Sequence, residues 1–303
     1  MFYDGSPMSK YFEISITVPS IAQEAIAWKL GELGHPQLVL SERHPEEAKD
    51  FATIKVYVHE KKDENPLASI EGGLDELASV LPEIRPYRLK QAVVEEEDWA
   101  HSWKKYWHPQ RIGRHVVVKP TWETFEKEPG DLVLDIDPKQ AFGTGTHPTT
   151  QLCLIEIENL FSACSPEKTR VFDVGTGSGI LAIAAIKLGA QSALAVDTDP
   201  IAVEATLENS ELNHVSEKIE VLEGGVEKLS GQAELVVVNI LAEVIAELAP
   251  GLAKAVAPSG LLVASGIILA RATLVIDAFS AEGLTLKSRS EMGDWVRLTF
   301  GVT

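Results

Sequence analysis

The spacing of apolar residues changes character about a third of the way along this chain. Tyr11 to Val18 alternate apolar and polar positions as a strand does. Ile21, Ala25, Ile26 and Trp28 to Leu33 then carry an apolar face at helical spacing that ends at Gly34. Leu38 to Leu40 and Thr53 to Val58 read as further strands, Leu67 to Leu81 as a second helix, and Glu83 to Leu89 as a last strand. The order βαββαβ predicts a small α+β, ferredoxin-like domain over residues 8–92. A fold carries no function by itself, so a substrate-recognition role for this domain is a reading by position. Residues Met1 to Pro7, ahead of Met8, are an extension left out of the fold. A linker helix over 93–110 follows, with an acidic start and then Trp99, Trp103 and Trp107 four residues apart. That spacing sets three indoles on one face, for packing in preference to ligand stacking. Bendable ends on such a linker would let the small domain swing over an active site.

From residue 111 to 303 the pattern becomes that of an α/β domain. A short β-rich entry, Val116 to Pro120 and Leu132 to Asp137, leads to an apolar strand at Val171 to Val174. A glycine turn, an apolar helix from Ile180 to Ala185 and a second strand ending on Asp197 come next. This is how a Rossmann-like sheet builds a nucleoside pocket. The glycine spacing selects among nucleosides, because a dinucleotide fold needs G-x-G-x-x-G and here Ile180 stands where the last glycine would be. The pattern Asp173-x-Gly175-x-Gly177-x-Gly179 instead resembles motif I of class I S-adenosylmethionine (SAM) methyltransferases. A Cβ at Gly175 or Gly177 would keep the backbone from such a ligand. Asp197, at the tip of the second strand, is placed to accept hydrogen bonds from both ribose hydroxyls. The bland alternative is a tight turn with Asp197 as a helix cap, but Asp199 before Pro200 is the better N-cap.

Two further segments carry candidate chemistry. The stretch Asp137 to Thr150 is rich in hydroxyls and flexible backbone and then opens a helix, so Thr150 could bond the amino-acid end of SAM. His147 in the same stretch is a lone histidine, more often structural than catalytic. Glu234 to Asn239 reads as a buried strand, the fourth of the sheet. Its C-terminal tip faces the ligand crevice and sets Asn239 against a methyl acceptor, although an asparagine can also simply form a turn.

Composition narrows the class. No run of apolar residues approaches the roughly 18 a membrane span needs, and the N-terminus has no basic region followed by an apolar one, so a cytoplasmic protein is expected. Cys153 and Cys164, the only cysteines, suggest reduced thiols, with no motif for a nucleophile or a metal ligand. A net charge of −18 disfavours a bare nucleic-acid backbone as main partner and suits a basic protein, though many acidic enzymes are so for solubility.

The segments Ala141 to Thr150, Asp173 to Ala185, Val196 to Pro200 and Asn239-Ile240-Leu241-Ala242 together resemble the bacterial ribosomal-protein methyltransferase family PrmA. The similarity takes in Asp98-Trp99 to His108-Pro109 and Gly293-Asp294-Trp295, and so spans nearly the whole chain. The resemblance implies methylation of lysine ε-amines and the N-terminal α-amine of ribosomal protein L11, up to trimethylation, with the N-terminal domain recognising that substrate. It places Thr150, Gly175, Gly177, Asp197 and Asn239 around SAM, with Asn239 also orienting the amine. It implies no metal, no DNA partner and no membrane, and a monomer is expected. Alternatives left open are a class I methyltransferase of RNA or a small molecule, and a non-catalytic SAM-binding module in ribosome assembly. The absence of Asn-Pro-Pro-Tyr at Asn239 argues against the usual DNA-adenine and glutamine methylators.

Overall fold

In a computed structural model the chain is described over residues 10–19, 22–33, 38–41, 51–59, 65–95, 108–137, 145, 147–163 and 166–302. It divides into two compact units, Met1–Trp107 and His108–Thr303.

The first unit runs β1 (Lys10–Pro19), α1 (Gln23–Glu32), β2 (Leu38–Ser41), β3 (Phe51–His59), α2 (Pro66–Val80) and β4 (Arg88–Glu95). The strands form one antiparallel sheet in the order β2-β3-β1-β4, the ferredoxin-like arrangement. Helices cover only one face, which is why the strands alternate. Ile14, Ile16 and Val18 of β1 and Ile54, Val56 and Val58 of β3 are buried with Ile26, Leu30, Ile70 and Leu74 of the helices. Each such side chain, fully buried, contributes about 1.5–3 kcal/mol.

The last strand starts later than the sequence pattern suggests. Pro82–Ile84 forms a 3₁₀ turn, and neither Pro82 nor Pro86 has an N–H to give a ladder, so β4 pairs with β1 only from Arg88 onward. It thereby takes residues 93–95 from the expected linker helix, whose other end at Gln110 already opens a strand. The interior of that helix, with Trp99, Trp103 and Trp107, lies outside the described residues, as does the 1–7 extension.

The second unit opens with a three-stranded sheet, β5 (Gln110–Ile112), β6 (Val116–Pro120) and β7 (Leu132–Ile136). Then come α3 (Pro148–Ala163), β8 (Arg170–Val174), α4 (Ile180–Lys187), β9 (Ser192–Asp197), α5 (Pro200–Leu212), β10 (Ile219–Glu223) and β11 (Ala233–Asn239). α6 (Ala242–Ala255), β12 (Val256–Ile268), α7 (Ala272–Ala281), β13 (Leu284–Met292) and β14 (Trp295–Val302) complete it. The large sheet is ordered β10-β9-β8-β11-β12-β14-β13. Its first five strands are parallel, and β14 enters antiparallel between β12 and β13. Helices pack on both faces, so Leu235 to Val238 of β11 are all buried and read as one apolar run. The strand order reverses between β8 and β11, which puts the ligand crevice beyond the C-terminal ends of these two strands.

Candidate active site

The tip of β8 delivers the chain into the turn Gly175–Gly179. Gly175, Gly177 and Gly179 all have positive φ, at 71°, 57° and 81°. At Gly175 an added Cβ would overlap Cγ2 of Ile240. The turn hangs on β9: Gly175 N and Thr176 N donate to Val196 O at 2.9 and 3.1 Å, and Gly177 N donates to Asp197 Oδ2 at 2.9 Å. Asp197 Oδ1 accepts Asp199 N at 3.0 Å. One backbone amide on each oxygen aims the carboxylate and leaves a lone pair on each for a diol. Asp199, as expected, caps α5 by accepting Ile201 N at 2.9 Å ahead of Pro200.

Asp173 stands beneath the turn, 1% exposed. Its Oδ2 accepts Thr176 Oγ1 at 2.8 Å and Ala182 N at 3.1 Å, while Oδ1 has no partner among the described residues. Burial pushes its carboxyl up to about 6, against the pull of those two hydrogen bonds, and the Asp197 charge adds to the rise.

On the neighbouring strand tip, Asn239 donates from Nδ2 to Thr150 Oγ1 at 3.4 Å, and its buried Oδ1 has no partner among the described residues. Thr150 lies in the first turn of α3 and is 1% exposed. His147, just ahead of that helix, shares a 2.7 Å hydrogen bond between Nδ1 and Thr149 Oγ1. Its ring meets Trp295 edge-on at 4.7 Å. Burial brings this imidazole down to about 4, so it is neutral at physiological pH.

The five residues singled out in sequence therefore fall into two bonded pairs on one edge of the sheet, Gly177 with Asp197 and Thr150 with Asn239. Gly175 is linked to the second pair by its contact with Ile240. Of the loop before α3, residues 138–144 and 146 lie outside the described residues. Gly145 is packed so that a Cβ would come within 2.9 Å of Val118 and 3.1 Å of Ile180.

Sequence reasoning missed several supports. Asn209 of α5 and Asn213, the C-cap of that helix one turn on, each bond both backbone groups of one residue at the end of β7, Asp137 just past the strand and Asp135 within it. Asp137 N and O meet Asn209 at 2.9 and 3.0 Å, and Asp135 N and O meet Asn213 at 3.0 and 2.6 Å. This stitches the end of β7, and the start of the loop, to α5. Two asparagines four apart in the last turn and at the C-cap of a helix were the available signal. Cys153, buried in α3, has its thiol pushed up to about 12 by burial, which keeps it an inert thiol. Cys164 lies outside the described residues.

Two buried acceptors, Asp173 Oδ1 and Asn239 Oδ1, thus lie without donors among the described residues at the ends of adjacent strands, beside a carboxylate with a lone pair open on each oxygen. Such a set fits a nucleoside that carries cationic N–H groups and repels a pyrophosphate. SAM, with its ribose, ammonium and sulfonium, meets these demands. Fold and site together define a class I SAM-dependent methyltransferase.

Comparison with known proteins narrows this. The sequence profile of the family described as ribosomal protein L11 methyltransferase (PrmA) matches residues 10–302. A ribosomal protein L11 methyltransferase of Pelotomaculum thermopropionicum is 50% identical over 229 residues, 74% of this chain and 73% of that protein. One of Desulfitobacterium hafniense is 42% identical over 307 residues, covering 94% and 96%. A crystal structure of ribosomal protein L11 methylase from Lactobacillus delbrueckii subsp. bulgaricus superposes with a TM-score of 0.60 at 33% identity, over 65% of this chain and all of that one. The chain belongs to the ribosomal protein L11 methyltransferase family.

Proposed function

We propose that this enzyme transfers methyl groups from SAM to amines of ribosomal protein L11, at lysine side chains and at the N-terminal α-amine, up to the trimethylated state. The observation that carries this reading is the buried, donorless Oδ1 of Asn239 on a strand tip beside Thr150 and across from the cofactor turn. Thr150, Gly175, Gly177 and Asp197 hold the cofactor, Asp197 through the ribose. Asp173 Oδ1 takes a donor from the cofactor's ammonium. The first unit recognises the protein substrate, which the chain's charge of −18 favours if that substrate is basic.

Bound SAM supplies a methyl already activated on a sulfonium, so the protein's work is placement of the nucleophile in line with it. A lysine amine must first be neutral. With a reference pKa near 10.4 that costs about 4 kcal/mol near pH 7.4, which desolvation at a buried edge lowers. In the first two transfers Asn239 Oδ1 accepts an amine N–H and aims the lone pair; the neutral dimethylamine of the third has no N–H to give, and the shape of the pocket alone aims it. His147 at about 4 and Asp173 at about 6 are both far weaker bases than the amine, so neither holds its proton, and the proton leaves to water before transfer. Because one chain carries both the cofactor turn and the acceptor residue, we take the enzyme to act as a monomer in the cytoplasm. Among the described residues no helix is long and apolar enough to cross a membrane.

The test is transfer of labelled methyl from SAM to purified L11, with RNA, DNA and the remaining ribosomal proteins as parallel acceptors, followed by intact-mass analysis. Stepwise methyl increments on L11, absent with Asp197→Ala, are expected. Label on RNA alone, or SAM binding without transfer to any acceptor, overturns the reading. Light scattering of the purified chain checks the monomer.

A further inference from the structure

We infer that Gly266 is a positioning residue for methyl transfer: it sets the backbone of Ile240, and through it the amide of Asn239, against the cofactor turn. The inference rests on the reading of Asn239 as the group that orients the acceptor amine. Gly266 lies in β12 where the pairing with β14 slips between Ala264 and Ile267, and its φ is +83°. A Cβ there would overlap the carbonyl oxygen of Ile240 and come within 2.7 Å of its carbon and 2.9 Å of its nitrogen. These are backbone atoms, which no rotamer change can move aside. Asn239 itself is in register with Ser265, the residue before Gly266.

On its other side Ile240 presses Cγ2 against Gly175, so its neighbours are glycines at both contacts. Leu241, the next residue, caps α6 and has its carbonyl engaged by Ile245 N at 3.0 Å. The segment that carries Asn239 is therefore fixed between the bulge of β12, the turn under the cofactor and the start of α6. Any side chain at position 266 drives Ile240 toward Gly175 and takes Asn239 Oδ1 off line.

The experiment compares full-length Gly266→Ala, Gly283→Ala and wild type in methyl transfer to L11, with SAM affinity measured by calorimetry. Gly283 has nearly the same φ, +82°, and nothing within 4 Å of an added Cβ, so it isolates the strain of a side chain at positive φ. For Gly266→Ala kcat is expected to fall about a hundredfold while the SAM Kd and the KM for L11 change by less than about threefold. Gly283→Ala is expected to keep kcat within about twofold. A Gly266→Ala enzyme with unaltered kcat overturns the inference. So does one whose SAM affinity falls in step with kcat, since that glycine would serve only the cofactor turn. If Gly266→Ala yields no folded protein, Ile240→Ala removes the contact on Gly175 without touching the bulge. A fall in kcat of about tenfold at nearly unchanged SAM affinity is then expected, and an unchanged kcat overturns the inference. Wild type inactive on L11 overturns the functional reading and this inference with it, whereas active wild type beside an unaffected Gly266→Ala overturns the inference alone.

Discussion

Glu158 and Asp173 are equally buried, each 1% exposed, yet they sit in regions built on opposite terms. At the far end of α3, Glu158 accepts His115 N on Oε1 at 2.7 Å and Arg114 N on Oε2 at 2.8 Å, so the β5–β6 hairpin occupies both oxygens. At the crevice edge, Asp173 receives both of its hydrogen bonds on Oδ2 and leaves Oδ1 without a donor. Asn239 repeats this on the next strand tip. A fold assembled for stability alone fills its buried acceptors, because an unfilled one costs roughly 1–3 kcal/mol. Unfilled acceptors side by side at the switch point mark where the protein keeps capacity for a ligand.

The sharpest way to break this contrast is at the crevice edge. Asp197→Ala removes the anchor of Gly177 N and Asp199 N together with the acceptor proposed for the ribose. A loss of about a thousandfold in kcat/KM, or about 4 kcal/mol, is expected, along with a raised SAM Kd. Calorimetric affinity within threefold of wild type would deny Asp197 its role. Asn239→Ala is expected to cut kcat by about a hundredfold with the protein still folded, because the acceptor it deletes is one the fold does not use and the donor it deletes makes only a long 3.4 Å bond to Thr150. If SAM affinity, rather than kcat, carried the whole loss, Asn239 would belong to the cofactor alone.

The hairpin end should respond the other way. Glu158→Ala leaves two hairpin amides without their charged acceptor, and about 2–3 kcal/mol of stability is expected to go, read as a shift of the urea midpoint at constant m. Activity per folded molecule stays at the wild-type level. A stable Glu158→Ala protein would mean that water solvates these amides as well as the carboxylate does.

Much of this was legible in the sequence, and what was not has a common cause. The turn through Gly175 and Gly177 and the place of Asp197 at the tip of β9 could be read because a strand, a turn and a second strand lie within one local βαβ unit, where spacing fixes geometry. Asn239 could be named because the tip of a parallel strand has one place to go. The start of β4 was misread because an apolar pattern over Glu83 to Leu89 outweighed two prolines that forbid a ladder. The stitches from Asn209 and Asn213 to β7, and the pressure of Gly266 on Ile240, join residues far apart in the chain. Each looks ordinary until topology brings its partner alongside.

The finest discrimination comes from Asp173→Asn, through pH. The native carboxyl titrates near 6 against a reference of 3.8, so between these values the folded state binds a proton that the unfolded state has lost. Stability contributed by this group is present at low pH and is lost as pH rises through 6. Asparagine keeps an acceptor for Thr176 Oγ1 and Ala182 N and has no charge to desolvate. The variant should thus start below wild type near pH 4, by the cost of the amide's own unpaired N–H, and overtake it as pH approaches 7. The shift alone gives about 3 kcal/mol, and the amide's own unpaired N–H reduces this to about 1–2 kcal/mol. His147 runs with the opposite sign: held near 4, below its reference of 6.5, it contributes stability above that reference which is lost as pH falls toward 4. The two slopes offset each other between roughly pH 4 and 6 in the wild type, and removing the Asp173 charge exposes the histidine's. Urea unfolding without cofactor from pH 4 to 8 reads the difference directly. A difference between variant and wild type that does not move in the variant's favour with rising pH would show that Asp173 is not held protonated by burial. The unfilled oxygen would then be solvated and not reserved for a ligand.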